Sequence, residues 1–218
     1  MKIKGYIGAL LELLLFAFVT YTMRQNVLEF QKMGNIIYYW FCFSILTGFW
    51  EFIYVTNYDS VASYANRLVK TKKHVWTQMY SLNMVLPSKL ARLFYAEYGA
   101  YADREYMSTV EGDFWSRLIE SSHALLCASF SLMAIMFQLH GYPYHAMIAG
   151  SVGMGQQFMN SLLYMGEYFM QCKDKDSVNF NCPAFPLGKM MTGRFFMWVN
   201  IFWLLMPAYC IVYFIIDS

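Results

Sequence analysis

Five long, mostly apolar stretches constrain this chain more than any other feature: Gly5–Met23, Ile36–Asn57, Phe114–Leu139, Tyr144–Met170 and Gly193–Ile216. In hydrocarbon no water satisfies backbone N–H and C=O groups, and an α-helix is the one open structure that pairs them all within its own segment. About 20 residues at about 1.5 Å each cross a hydrocarbon core of about 30 Å. The expected fold is therefore all-α, a polytopic membrane protein of five transmembrane helices. Composition agrees, with 58% hydrophobic and 14% charged residues, against about 25% charged in a soluble domain. The expected division is an N-terminal helix and connection over 1–35, then a four-helix membrane domain over 36–218 with a polar loop at 58–112.

The segments between spans carry their own signals. Lys2 and Lys4 precede the first span, which lacks a small-residue cleavage site and so reads as a retained helix. Arg24–Asn35 reads as a short polar connection. In the 58–112 loop, Val61–Trp76 and Ser88–Tyr101 suit short amphipathic helices, with Pro87 as a breaker between them. The run Lys70-Thr71-Lys72-Lys73-His74 beside Trp76 suits a headgroup surface or, equally, a solvated loop. A second polar loop, Gln171–Thr192, holds Cys172 and Cys182, a disulfide candidate, together with Pro183 and Pro186. The cation distribution puts the N-terminus and both polar loops inside; a Cys172–Cys182 bridge would put them in an oxidising space. The nine-residue spacing of that pair also occurs in proteins of the mitochondrial intermembrane space. With a C-terminus that carries no retrieval signal, it favours the mitochondrial inner membrane over the endoplasmic reticulum.

Several function classes fall away. A formal net charge of +2 gives no global case for nucleic-acid binding. No phosphate-cradling glycine loop and no metal-ligand spacing is present, and no cofactor is expected. Cys42, Cys127 and Cys210 sit in apolar surroundings as packing residues. His140 and His145 bracket a short connection and read as interfacial. Met147, Met154, Met159, Met165 and Met170 read as core filler, and Gly150, Gly153 and Gly155 as points of close helix contact. Glu12 is expected to face a neighbouring helix.

What remains is a set of intramembrane polar groups: Glu51, Glu120 with His123, Gln156 with Asn160, and Asn200. A charged side chain in hydrocarbon costs on the order of 3 kcal/mol on insertion scales, so such groups face a bundle interior or a wet cavity. Glu120 and His123 lie one turn apart in the stretch Asp113–His123 that opens the third span. Scattered, these groups are interhelical glue; converging on one cavity, they make a site.

At these residues the sequence resembles the EXPERA domain. The likeness runs from about Phe41 to Tyr213. It is carried by Glu97-Tyr98, Asp103-Arg104, Tyr106, Asp113-Phe114 and Glu120, then Gly155-Gln156-x-Phe158-x-Asn160-x-Leu162 with Glu167, then Asn200-x-x-Trp203-x-x-x-Pro207. Within the family the pattern is most similar to the emopamil-binding sterol delta8-delta7 isomerases, which implies five membrane helices around a sterol-sized cavity. The resemblance also implies that Glu120, Asn200 and Trp203 match groups that stabilise a carbocation, while a His and a Glu one turn apart on the second helix move protons. Here the second helix departs from the family, with Phe43 and Thr47 in place of that pair. Glu51 stands one turn beyond Thr47, about 6 Å along the axis.

Two functions follow as expectations. In the first, the chain is a non-catalytic, EXPERA-like accessory subunit of a larger membrane assembly. Its cavity, walled by Phe43, Thr47, Glu120, Asn160, Asn200 and Trp203, takes a lipid or sterol. In the second it is a divergent sterol isomerase using Glu120, His123, Glu51, Asn200 and Trp203. The expected partners are membrane lipid or sterol and other membrane protein subunits, not nucleic acid.

Overall fold

The structure is a computed structural model and describes residues 1–103, 106, 114–171, 174–176 and 195–217. The protein is an all-α polytopic bundle. The first long helix, α1 (Gly5–Asn26), is followed by a single turn, α2 (Leu28–Gln31), and then by α3 (Asn35–Thr56). A polar cap follows, made of α4 (Tyr58–Thr71) and α5 (Pro87–Tyr101). Between those two helices the chain forms 3-10 turns at Val75–Thr77 and Leu82–Val85, and the strand β2 (Met79–Ser81). The chain returns through α6 (Trp115–Ser122), a π-helical turn at His123–Cys127 and α7 (Ala128–Leu139), and ends in α8 (Pro143–Gln171) and α9 (Phe195–Asp217).

Among the described residues four helices are long and apolar enough to cross a membrane: Gly5–Asn26, Asn35–Thr56, Arg117–Leu139 and Trp198–Ile216. The expected fourth span forms the 29-residue α8, which packs along both α7 and α9 but is less apolar, since Gln156, Gln157, Asn160 and Glu167 interrupt it. Burial follows position in the bundle. Tyr38, Phe41 and Tyr54 of α3 are fully enclosed, whereas α1 and α9 turn leucines, phenylalanines and isoleucines outward. An outward apolar face is what a lipid solvent rewards.

Local chemistry sets several ends. Pro87 opens α5 at its first position, where its missing N–H is one of the unpaired donors anyway; it starts a helix as well as separating two. The Arg24–Asn35 segment is not a plain polar connection, because α1 runs on to Asn26 and α2 follows. Arg24 is buried there and donates to the Phe30 carbonyl, to the Met33 carbonyl at 2.8 Å and to Asn35 Oδ1 at 2.8 Å. One guanidinium fork thus satisfies carbonyls that the helix end leaves open. At the other end of α1, strand β1 (Lys2–Lys4) pairs antiparallel with β2, Lys2 opposite Ser81 and Lys4 opposite Met79. That ribbon ties the N-terminus to the α4–α5 cap, on the side where α3 ends.

Other expectations need correction. Met154 and Met165 are buried core, but Met159 and Met170 face outward, so the α8 methionines do not act as one group. A Cβ on Gly153 would press on Phe130, whereas one on Gly155 would meet nothing within 4 Å. Gly155 is therefore not a contact point: the helical period places it away from α7. Trp76, beside the exposed run Lys70–His74, lines a cavity. Cys172 and Cys182 lie outside the described residues.

Candidate functional site

Helices α1, α3, α8 and α9, the third span and α5 leave a cavity of about 750 Å³ between them, walled mostly by aromatic and aliphatic side chains. It runs from Glu97, Tyr101 and Trp76 at the cap to Phe43 and Trp203 deep in the bundle. Phe43 lies thirteen residues before the end of α3, about 20 Å along a helix axis. The intramembrane polar groups converge here. Glu51, Glu120 and His123 line the cavity, as do Asn160, Asn200 and Trp203, and Phe43 and Thr47 form part of the same wall. Of the group singled out from sequence, Gln156 is not part of that wall; it donates to Asn160 Oδ1 at 2.9 Å.

Two backbone features bring α3 and the third span close enough to do this. A Cβ on Gly48 would come within 2.2 Å of the Ala128 Cβ, so only glycine allows α3 to lie this near α7. The π-helical turn begins at His123. Such turns insert one residue into an α-helix and shift the phase of everything before them. The result is a hydrogen bond, within an ion-pair geometry, from His123 Nδ1 to the Glu51 carboxylate. The one-turn displacement of Glu51 from Thr47 is matched by a histidine on the facing helix.

The hydrogen-bond partners fix the imidazole. Trp40 Nε1 donates to Gln157 Oε1 at 2.9 Å. An indole N–H only donates, so the Gln157 oxygen must face Trp40 and its amide N–H₂ the other way. That amide lies 3.0 Å from His123 Nε2 and 3.3 Å from Ser44 Oγ. His123 Nε2 is therefore the acceptor, and Nδ1 carries the proton donated to Glu51. Gln157 is fully buried and escaped the sequence reading, although its three-residue spacing from Asn160 puts both on one helix face.

Glu120 is held by phenols. Tyr106 donates to Oε1, and Tyr95 donates to Oε2 at 3.3 Å. Burial first, and then the Glu120 charge beside them, pushes both phenols well above the usual tyrosine range, so they serve as donors. Glu51 lines the same cavity as Glu120, on the facing helix. Asn160 Nδ2 donates to Ser122 Oγ at 2.8 Å, bracing α8 against the helix that bears Glu120. Thr47 returns its hydroxyl to the Phe43 carbonyl at 3.1 Å and supplies no acid or base.

Aromatic rings close the deep end. Trp203 stacks on Phe43, with centroids 5.6 Å apart and planes 17° apart. It meets the His123 ring edge-on at 5.6 Å. Pro207 withholds an N–H from the Trp203 carbonyl one turn earlier. Asn200 bonds to Tyr98, whose hydroxyl lies 2.9 Å from that of Tyr164; Tyr164 in turn donates to Asp103 Oδ2 at 2.7 Å. At the cap end, Glu97 accepts from His74 Nδ1 at 2.7 Å and from the Val75 N–H at 2.8 Å. Glu12 does face a neighbouring helix, accepting from Trp50 Nε1 at 3.0 Å, and its second carboxylate oxygen is buried without a partner.

Elsewhere the chemistry is sparse. Cys127 and Cys210 are buried free thiols, and Cys42 is partly buried. His145 packs against Phe137, Tyr142 and Tyr144. Among the described residues no three His, Cys, Asp or Glu side chains form a metal-ligating group. No protein-family model, curated protein or solved structure matches the chain.

Proposed function

We propose that this chain is a non-catalytic, EXPERA-like membrane protein that holds a sterol or a lipid of similar size in the cavity, as a component of a larger membrane assembly. The observation that carries the reading is the cavity itself: about 750 Å³, largely apolar, with a small number of polar groups on its wall, Glu51, Glu120 and His123 among them. Ligand pockets of about 300–1,000 Å³ with a small number of placed polar groups bind by that division of labour. Apolar walls contribute about 25 cal/mol per Å² buried, with no catalytic group needed. Support for the absence of catalysis comes from His123. Its Nε2 accepts from Gln157 and its Nδ1 is committed to Glu51, so neither nitrogen is free to take a proton from a ligand. Our proposal of the mitochondrial inner membrane rests on the Cys172–Cys182 spacing.

A second reading, a divergent sterol isomerase, is favoured by one observation: Glu51, Glu120 and His123 line one cavity, with His123 bonded to Glu51. Complementation separates the two. An isomerase-deficient strain should not be rescued by the unmodified chain, while mass spectrometry of the purified protein should find a co-extracted sterol or lipid. A double variant, Phe43→His with Thr47→Glu, expressed alongside shows whether the second-helix pair is what the chain lacks. Loss of one positioned acid or base typically costs about 10²- to 10⁴-fold in rate. Rescue by the unmodified chain would establish the isomerase instead, and protein purified free of any lipid would remove the binding reading.

A further inference from the structure

A second pocket, of about 260 Å³, lies between α4 and α5 beneath β2 and the turn that follows it. Lys89 and Arg92, one turn apart on α5, line it together with Ser60, Tyr64, Ser81 and Asn83. Most hydroxyl groups there are already engaged. Ser60 donates to the Asn57 carbonyl at 2.9 Å, Ser81 donates to Asn83 Oδ1, and the Tyr64 and Tyr80 hydroxyls pair at 2.7 Å. Lys89 and Arg92 have no carboxylate partner among the described residues, and the Arg92 Nε is shut off from solvent with no hydrogen bond at all. The nearby Glu97 is taken up by His74 and the Val75 N–H. What the pocket offers uncommitted is therefore donors, two of them on cationic side chains. Lys89 is exposed and Arg92 partly buried; the buried Arg92 Nε without an acceptor is the costly donor of the pair.

Its place in the fold says what that is. Ser60 follows the last residue of α3, Thr56, by four positions, and Ser81 pairs with Lys2, three residues ahead of the start of α1. The pocket thus sits where two spans leave the bilayer. Lys2, Lys4 and Arg67 add positive charge around it, Arg67 lying over the Tyr64 ring at 4.5 Å. Phosphate groups lie at that depth, and a guanidinium with an ammonium beside it matches phosphate oxygens as paired charge-assisted donors. We propose that this pocket binds the phosphate of an anionic lipid headgroup. A free phosphate shares the chemistry but not the tether, and it is the competing source. The inference does not depend on the content of the large cavity, since none of these six residues lines it.

The test uses the full chain in neutral detergent, titrated with dioctanoyl phosphatidic acid, dioctanoylglycerol and inorganic phosphate, and read by native mass spectrometry and calorimetry. Phosphatidic acid should bind, and dioctanoylglycerol and inorganic phosphate should each bind about tenfold more weakly or worse. Arg92→Gln and Lys89→Gln should each weaken phosphatidic acid by about tenfold, the usual loss for a charge-assisted hydrogen bond. Lys70→Gln, an exposed cation of α4 outside the pocket, should leave it unchanged. Inorganic phosphate binding as tightly as the lipid would assign the pocket to a soluble phosphate and overturn the proposal. So would phosphatidic acid binding that neither pocket variant weakens, or no binding at all. Should Arg92→Gln fail to fold, Lys89→Gln decides, because Lys89 is exposed and its side chain bears little on stability.

Discussion

Gln157 shows how much one buried amide can settle. It accepts from Trp40 and donates toward His123 Nε2 and Ser44 Oγ, so three side chains on two neighbouring helices depend on which way a single group points. ¹⁵N spectra of labelled imidazole should accordingly show His123 with a protonated Nδ1 and a bare Nε2. Replacing Gln157 by Leu strands the Trp40 N–H and one ring nitrogen. Each buried unsatisfied group costs about 1–3 kcal/mol, so thermal unfolding in detergent should show a loss of about 2–6 kcal/mol. Gln157→Glu keeps the acceptor for Trp40 but sets a second acceptor against Nε2. It should therefore lose less stability than Leu while moving the ¹⁵N signals of His123. Identical imidazole spectra in wild type and Gln157→Glu would show that the amide does not set the ring.

The third span illustrates control at the level of an element. Its π-helical turn, His123–Cys127, separates Glu120 from the regular α7 below. Leu125, within the turn, is 69% exposed and points away from the bundle, so deleting it removes length without removing core packing. The deletion restores α-helical phase and rotates the segment bearing Glu120 by about 100°, with a shift of about 1.5 Å. Helix content by circular dichroism should hold, while affinity for the co-purified lipid should fall at least about tenfold, since Glu120 and its tyrosines no longer meet. Close approach is the second device. Gly48→Val places branched carbons where the Ala128 methyl already stands. Overpacking of this kind costs about 1–3 kcal/mol, and it should separate Glu51 from His123. A Gly48→Val protein with unchanged stability would show that α3 and α7 are free to part.

For the whole molecule, the division between lipid-facing and inward surfaces is the main term. Leu14 of α1 and Leu205 of α9 are 56% and 61% exposed, on helices that by length and composition span the bilayer. A lysine near a span centre costs about 2.5–3.5 kcal/mol on insertion scales. The pair Leu14→Lys with Leu205→Lys should leave the protein extractable from membranes by alkaline carbonate, whereas Asn66→Lys on the exposed side of α4 should leave it integral. Retention of the double variant would mean that these two faces are covered by protein rather than lipid. That outcome would itself bear on the proposed assembly, because α1 and α9 present the largest uncovered apolar faces.

Spacing and apolarity alone determined that the chain is a helical membrane bundle, that Glu12 and Glu120 turn inward, and that α5 begins beside Pro87. Each of these follows from solvation or backbone chemistry acting over a few residues, which a linear sequence displays. The same logic placed Glu51, Glu120 with His123, Gln156 with Asn160, and Asn200 as groups with reason to converge, but not which atoms meet; Trp203 stands out only through the family resemblance. Tertiary structure alone decided that Glu51 pairs with His123, because that depends on a π-helical turn in one helix and a missing Cβ at Gly48 in another. It likewise decided that Gln157 rather than Gln156 bonds to His123, that a Cβ on Gly155 would meet nothing within 4 Å, and that Trp76 lines the cavity. Neighbours on a helix differ by about 100° of rotation, and only the packed partner fixes the zero of that angle.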